Sequence, residues 1–249
     1  LLDELLHLQH ASRAICILAN EKSWQLALEC RKRADIKGIN VTVLPINCTY
    51  GSAESHANQE PLLDIDLDLT IAPHQPALLL FTSATSGPPK GVVHTRRWFD
   101  NLHRISSPGD VVLSHTPVQF AAGLVTLLGS VLGGARTEII PQDAKAIWER
   151  LRKGGVTGLS GPPRFWAIMK SYFDNDIHSL PLTERAIYVE SIQNLSHAVT
   201  RASMPDQALL RTWRETFGMR LHVGYGITEI GSSVMRTTNL TDVNLEVRI

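Results

Sequence analysis

Two short stretches of the chain carry residue types in an order that could do phosphate chemistry. The first is Thr82-Ser83-Ala84-Thr85-Ser86-Gly87-Pro88-Pro89-Lys90-Gly91, which directly follows the apolar run Leu78-Leu79-Leu80-Phe81. Four hydroxyl side chains fall within five residues, followed by glycine, lysine and glycine. Hydroxyls and backbone N–H groups together offer many donors to phosphate oxygens, and Lys90 adds a point charge. Gly87 and Gly91 permit close backbone approach and left-handed conformations. The same composition also describes an ordinary surface turn, and composition alone leaves both readings open. A Walker A loop is excluded, because that motif needs glycine directly before the lysine and here Pro89 precedes Lys90.

The second stretch is Gly224-Tyr225-Gly226-Ile227-Thr228-Glu229-Ile230-Gly231, at the end of the run Leu221-His222-Val223. It offers an aromatic face, a hydroxyl donor and a carboxylate. Those suit, in turn, a nucleobase, a phosphate and Mg2+. Taken alone the pattern is not specific, since Gly-Tyr-Gly turns are common and a Thr-Glu pair often starts a helix.

The elements around these stretches read as strands alternating with helices. Apolar runs predict strands at residues 15–18, 41–44, 77–81, 110–114, 137–140, 156–160, 186–190 and 220–225, and Val92-Val93-His94 enters a further element. A helix is expected from Trp24, and another over residues 143–153, where Ile147, Trp148 and Leu151 share a face. A third, over residues 206–217, carries Leu209, Leu210, Trp213 and Phe217 and stops at Gly218, a plausible C′ residue. The tryptophans read as core. Such alternation implies an α/β fold with mainly parallel sheets flanked by helices, whose ligands gather at the carboxyl ends of strands.

Asp64, Asp66 and Asp68 alternate with Ile65, Leu67 and Leu69, a pattern that invites a metal reading. No EF-hand glycine or terminal glutamate follows, so an exposed strand or loop edge is the expectation. His94, His103, His115, His197 and His222 read as packing or surface residues, because no Ser/His/Asp arrangement is legible.

Composition narrows the classes. The chain has 249 residues, with 24 Lys plus Arg balancing 24 Asp plus Glu, which argues against a general nucleic-acid or anionic-membrane binder. At 43% hydrophobic and 19% charged it is globular and not disordered. No apolar run approaches the ~18–20 residues of a membrane helix. Cys16, Cys30 and Cys48 form no CxxC pair, so neither a zinc site nor a disulfide framework is expected. Asn47, Asn194 and Asn239 begin Asn-x-Ser/Thr triplets, read as chance in the absence of secretory context. The expected setting is intracellular and cytoplasmic, with peroxisome and mitochondrion left open.

The order of residues in the first stretch resembles the phosphate-loop signature of the adenylate-forming superfamily, which includes acyl-CoA synthetases, peptide-synthetase adenylation domains and luciferases. Phe81, Thr82, Ser83, Thr85, Ser86, Gly87, Pro89, Lys90 and Gly91 match it identically or conservatively. Ala84 departs from it, standing where the family has glycine. The second stretch resembles the Tyr-Gly-x-Thr-Glu motif of the same superfamily, 139 residues after Lys90 (229 minus 90) and in the expected order. Between them, Thr116-Pro117-Val118-Gln119-Phe120-Ala121-Ala122-Gly123 looks like the family's acyl-pocket segment, with Phe120 at the gate position. Residues 156–163 look like the pocket's far side. Thr200-Arg201-Ala202-Ser203-Met204-Pro205 occupies the place of the small Gly/Ala-rich adenine loop, with Arg201 where a small residue is usual.

The resemblance implies part of the large N-terminal domain of an adenylate-forming enzyme, most like acid–CoA ligases. Its reaction would activate a carboxylic acid with ATP and Mg2+ through an acyl-adenylate, then form a thioester with CoA. It implies that Thr82, Ser83, Thr85, Ser86, Gly87, Lys90 and Gly91 hold the β- and γ-phosphates. Tyr225 and Gly226 would lie beside the adenine, Thr228 would contact the α-phosphate and Glu229 would bind Mg2+. Lys90, Thr228 and Glu229 are the expected catalytic residues, and Phe120, Gly123 and Gly224 the expected substrate-pocket residues. The chain as a whole reads as one partial domain, truncated at both ends and without the C-terminal lid, so little complete turnover is expected of it. The alternatives are an adenylation domain of a peptide-synthetase-like assembly line and a degenerate, non-catalytic relative.

Overall fold

The computed structural model describes residues 2–46, 70–82, 87–102, 105–231 and 233–237. The chain divides into two compact units, Leu1–Val93 and His94–Ile249.

In the first unit, helix α1 (Leu2–Ser12) precedes strand β1 (Cys16–Ala19), helix α2 (Trp24–Ile36) and strand β2 (Thr42–Pro45). The Asn20 side chain accepts the Ser23 N–H and so starts the single turn that leads into α2. β1 and β2 pair in parallel, Cys16 beside Thr42 through Ala19 beside Pro45. The α2 crossover between them is the connection that parallel neighbours require. Cys30, Ala34 and Val41 pack with Leu6, while Ala19, Ala27 and Val43 form a second small cluster. Strands β3 (Pro76–Phe81) and β4 (Gly91–Thr95) pair with each other, and β4 runs across the division between the units. Asp64, Asp66, Asp68, Asn47 and Cys48 lie outside the described residues. Cys16 and Cys30 are free thiols, and burial raises the Cys30 pKa.

The second unit continues with helix α3 (Arg97–Leu102), strand β5 (Val111–Ser114), helix α4 (Ala121–Leu132), strand β6 (Arg136–Ile139) and helix α5 (Ala144–Arg152). Strand β7 (Gly158–Gly161), helices α6 (Pro163–Tyr172) and α7 (Leu182–Gln193), and strand β8 (His197–Thr200) follow. Helix α8 (Gln207–Phe217) and strands β9 (His222–Gly226) and β10 (Ser233–Arg236) complete it. The strands form one sheet in the order β10-β9-β8-β7-β5-β6, parallel throughout except for β10 against β9. The chain therefore crosses from β5 to β6 on one side and then to β7 on the other, which makes β5 a switch point of the sheet.

Trp148, Trp166 and Trp213 are fully buried with Phe173 and Phe217 at the centre of the core, as the helical spacing around Trp148, Trp213 and Phe217 predicts. The Trp148 and Trp166 indoles donate to the carbonyls of Met169 and Val199, which makes these large rings satisfiable in the interior. Asp206 caps α8 by accepting the Leu209 N–H at 2.6 Å, and Gly218 ends it with φ at +65°.

One expected strand is corrected. Residues 186–190 lie inside α7, where Tyr188, Ser191 and Ile192 are buried while Ile187 faces solvent. That spacing of three to four residues is helical, and it outweighs the β-propensity of Ile187, Tyr188 and Val189. The strand at this point of the sheet is β8, whose His197-Ala198-Val199-Thr200 holds too short an apolar run to stand out.

Candidate functional site

In a sheet of this kind the carboxyl ends of the parallel strands collect the loops that can meet a ligand. Here those loops are residues 115–120 after β5, Pro162 after β7, residues 201–206 after β8 and residues 227–231 after β9. Phe120, residues 201–205 and the Tyr225–Glu229 stretch lie on or next to this edge.

β9 delivers the second motif. Val223 donates to Thr237 Oγ1 at 2.9 Å, and His222 Nδ1 lies 2.9 Å from the Thr237 carbonyl. β8 pairs with His222 and Val223 on one side, and β10 pairs with Gly224, Tyr225 and Gly226 on the other. Gly224 is buried, while Tyr225, near the end of β9, is 52% exposed. The next residues form a single tight turn. Ile230 N–H donates to the Ile227 carbonyl, and Gly231 N–H is shared between the Ile227 and Thr228 carbonyls at 3.1 Å each. Thr228 is half-buried and Glu229 exposed on this turn.

Gly231 closes the turn with φ at +79°, a conformation that favours glycine. A Cβ there would stand 2.3 Å from Trp98 Nε1 and 2.7 Å from His94 Cε1. The Trp98 indole also donates to the Gly231 carbonyl at 2.8 Å. The sequence reading included Gly231 in the motif but gave no role to Trp98, and it assigned His94 to packing. The contact joins residues 133 apart along the chain, and no local pattern signals it.

Phe120 precedes α4 and is 52% exposed. Gly123, in the first turn of α4, is buried where a Cβ would lie 2.3 Å from the Pro117 carbonyl oxygen and 2.6 Å from that of Thr116. Only glycine lets the helix start this close to the residues after β5. His115, in the same loop, is buried and stacks on Phe165 with ring centroids 4.1 Å apart. Its Nε2 lies 2.8 Å from the Ser160 carbonyl, so that nitrogen carries the proton. Burial lowers the His115 pKa, with the Ser160 hydrogen bond opposing the shift. The histidine thus sits neutral as a packing residue.

The loop after β8 opens with buried Thr200. Arg201 N–H donates to the Gly161 carbonyl at 3.1 Å, which ties this loop to the end of β7. Ala202 then holds φ at +74°, in the left-handed region that costs an L-residue energy. Sequence reasoning singled out Arg201 here and missed Ala202, because alanine carries no mark of a positive φ.

The first motif lies in the first unit. Thr82 N–H donates to the Lys90 carbonyl at 3.0 Å, and Lys90 N–H donates to Thr82 Oγ1 at 3.3 Å. This reciprocal pair closes the base of the loop. Gly87 has φ at +149°, which again favours glycine, and Lys90 is exposed. At Gly91 a Cβ would meet Leu79 Cδ1 at 3.0 Å, so glycine lets β4 lie against β3. The Pro89 carbonyl accepts from His7 Nε2 at 3.2 Å. Ser83, Ala84, Thr85 and Ser86 lie outside the described residues, as does His103.

Among the described residues no three His, Cys, Asp or Glu side chains gather as a metal site. Mg2+ bound with a nucleotide needs only one or two carboxylates beside the phosphates, and Glu229 is an exposed carboxylate. Among the described residues no helix is long and apolar enough to cross a membrane.

The family model of AMP-binding enzymes matches residues 2–248. The chain belongs to that family. Among its relatives is the acyl-CoA ligase oryP of Aspergillus oryzae, 26% identical over 236 residues that cover 92% of this chain and 42% of the relative. The mouse mitochondrial malonate–CoA ligase is 27% identical over 174 residues, covering 64% of this chain and 29% of the relative. The chain spans about two fifths of the length of the first curated relatives it matches. In fold it is similar to the N-terminal domain of FACL13 from Mycobacterium tuberculosis, with a TM-score of 0.67 and 20% identity over 92% of this chain and 54% of that one. The expected α/β fold of an adenylate-forming large domain is thereby borne out, and the superfamily resemblance with it.

Proposed function

We propose that the chain supplies the nucleotide-holding part of an ATP-dependent acid–CoA ligase. The observation that supports this reading best is the turn bearing Thr228 and Glu229, held at the carboxyl end of β9 directly after the half-exposed Tyr225, in a chain of the AMP-binding family. In this reading a carboxylate oxygen attacks the α-phosphorus in line, the bond to pyrophosphate breaks, and the acyl-adenylate forms. A CoA thiol then attacks the acyl carbon and AMP leaves. Chemistry of this sort needs placement and neutralised charge more than covalent help.

The roles follow from side-chain chemistry and position. Lys90 places a positive charge at the base of the hydroxyl-rich loop, where Thr82, Ser83, Thr85, Ser86 and the glycines Gly87 and Gly91 supply phosphate donors. Tyr225 packs beside adenine, Thr228 donates to the α-phosphate, and Glu229 is the Mg2+ ligand. Mg2+, when bound, offsets charge on the phosphate oxygens. Phe120, Gly123 and Gly224 line the acid pocket. The need for ATP and CoA places the reaction inside the cell. In this reading the chain is a portion of the enzyme's large domain.

The test is calorimetric titration of the chain with MgATP, followed by acid-dependent exchange of labelled pyrophosphate into ATP. Binding that Lys90→Ala weakens supports the reading. Exchange driven by amino acids in place of simple carboxylic acids would move it to a peptide-synthetase adenylation domain. Absence of nucleotide binding by a folded chain would contradict the reading and favour a non-catalytic relative.

A further inference from the structure

We infer that Trp98 is a positioning residue for the turn bearing Thr228 and Glu229, with His94 bracing its indole. The inference rests on reading that turn as the phosphate and Mg2+ contact proposed above.

The turn is not seated by its own apolar side chains. Ile227 and Ile230, its two large apolar residues, are 41% and 47% exposed, so hydrophobic burial does not seat it. The Trp98 indole donates directly to the backbone of this turn. That bond is buried, and it reaches the carbonyl of Gly231, whose N–H closes the turn on the Ile227 and Thr228 carbonyls. The indole also lies so close to the Gly231 α-carbon that any side chain would collide with it. Gly231 follows Glu229 by two residues (231 minus 229), so movement of its carbonyl is passed straight to the carboxylate-bearing residue.

Trp98 is itself held rigidly. His94 stacks on it with centroids 5.1 Å apart and planes 25° from parallel, and Phe99 packs edge-on at 5.0 Å. Both Trp98 and His94 are buried. His94 belongs to β4, the strand that begins with Gly91 directly after Lys90, and Trp98 lies in α3 just beyond it. The segment that leaves the first motif thus supplies the anchor of the second.

The experiment uses the full chain with Trp98→Phe, which removes the donor and keeps a ring for His94, and with Gly231→Ala as a second variant. Residue-resolved hydrogen exchange is measured first. Loss of one buried hydrogen bond should speed exchange of the Ile230 and Gly231 amides about tenfold. The amides of β7 and α8 should keep their wild-type rates. Unchanged exchange at Ile230 and Gly231 in both variants, or an equal rise throughout the second unit, would overturn the inference.

The second readout is the gain in ATP affinity on adding Mg2+. Trp98→Phe should lose most of that gain while metal-free ATP affinity stays near wild type, because the displaced group is the carboxylate. A Mg2+ gain fully retained by Trp98→Phe contradicts the positioning role. If wild-type chain binds no ATP with or without Mg2+, the nucleotide reading fails, and the exchange rates still decide whether Trp98 positions the turn.

Discussion

Replacing Ala202 with glycine should raise the thermal stability of the chain. Ala202 holds φ at +74° in the loop after β8, one residue past Arg201, whose N–H is fixed on the Gly161 carbonyl. The loop cannot relax by local rotation without losing that bond. An L-residue in the left-handed region costs about 1–2 kcal/mol, and glycine removes that cost. Glycine also frees the unfolded chain, which takes back roughly 0.5–1 kcal/mol. The balance is about 0.5–1 kcal/mol in favour of the variant, which for a chain of this size is a rise of ~1–4 °C in Tm. Scanning calorimetry of wild type and Ala202→Gly reads it directly. Arg13→Gly is a useful parallel, since Arg13 is the other described non-glycine residue with a positive φ, at 54°. Ala202→Val should lower Tm, because a β-branched side chain tolerates this conformation least. A Tm that falls or stays level in Ala202→Gly, with native circular dichroism, would refute the strain argument. Strain kept at a loop on the carboxyl edge is the kind of feature that binding sites retain.

Two further outcomes follow from the same contacts. Burial holds the folded-state pKa of His115 below its ordinary value of 6.5. Below that pH the unfolded chain therefore takes up a proton more readily than the folded one. Its contribution to stability is complete above pH 6.5 and is lost as pH falls through the folded pKa; urea unfolding at a series of pH values should show this slope, and His115→Gln should flatten it. Asp206→Ala removes the oxygen that caps α8 and should cost about 0.5–2 kcal/mol in urea unfolding, with Asp206→Asn keeping most of the stability.

Much of the fold was legible where side-chain periodicity is strong. The helix α8 could be drawn from Asp206 to Gly218 because cap, apolar stripe and terminating glycine all agree. The strands β5, β6, β7 and β9 were expected within a few residues of where they lie. β8 was not, because a four-residue strand with two aliphatic residues has no periodicity to read, while a β-branched run inside α7 imitated one.

The candidate site divides in the same way. Residue types and order marked Thr82, Lys90, Tyr225, Thr228 and Glu229, since chemistry is written in side chains. The contacts that hold those residues were silent. The reciprocal pair between Thr82 and Lys90, the indole on Gly231 and the close approach at Gly123 are backbone geometry and long-range packing. A glycine flags such a place without naming its partner.

The most direct test of the account is MgATP titration of the chain by calorimetry, with Lys90→Ala alongside. Charge-assisted hydrogen bonds of about 1.5–3 kcal/mol predict that removing the Lys90 ammonium weakens binding roughly tenfold to a hundredfold. Wild-type binding with that loss places the phosphates on the hydroxyl-rich loop. Equal affinities in wild type and Lys90→Ala, or no binding to a folded wild-type chain, would contradict the claim that this chain holds the nucleotide.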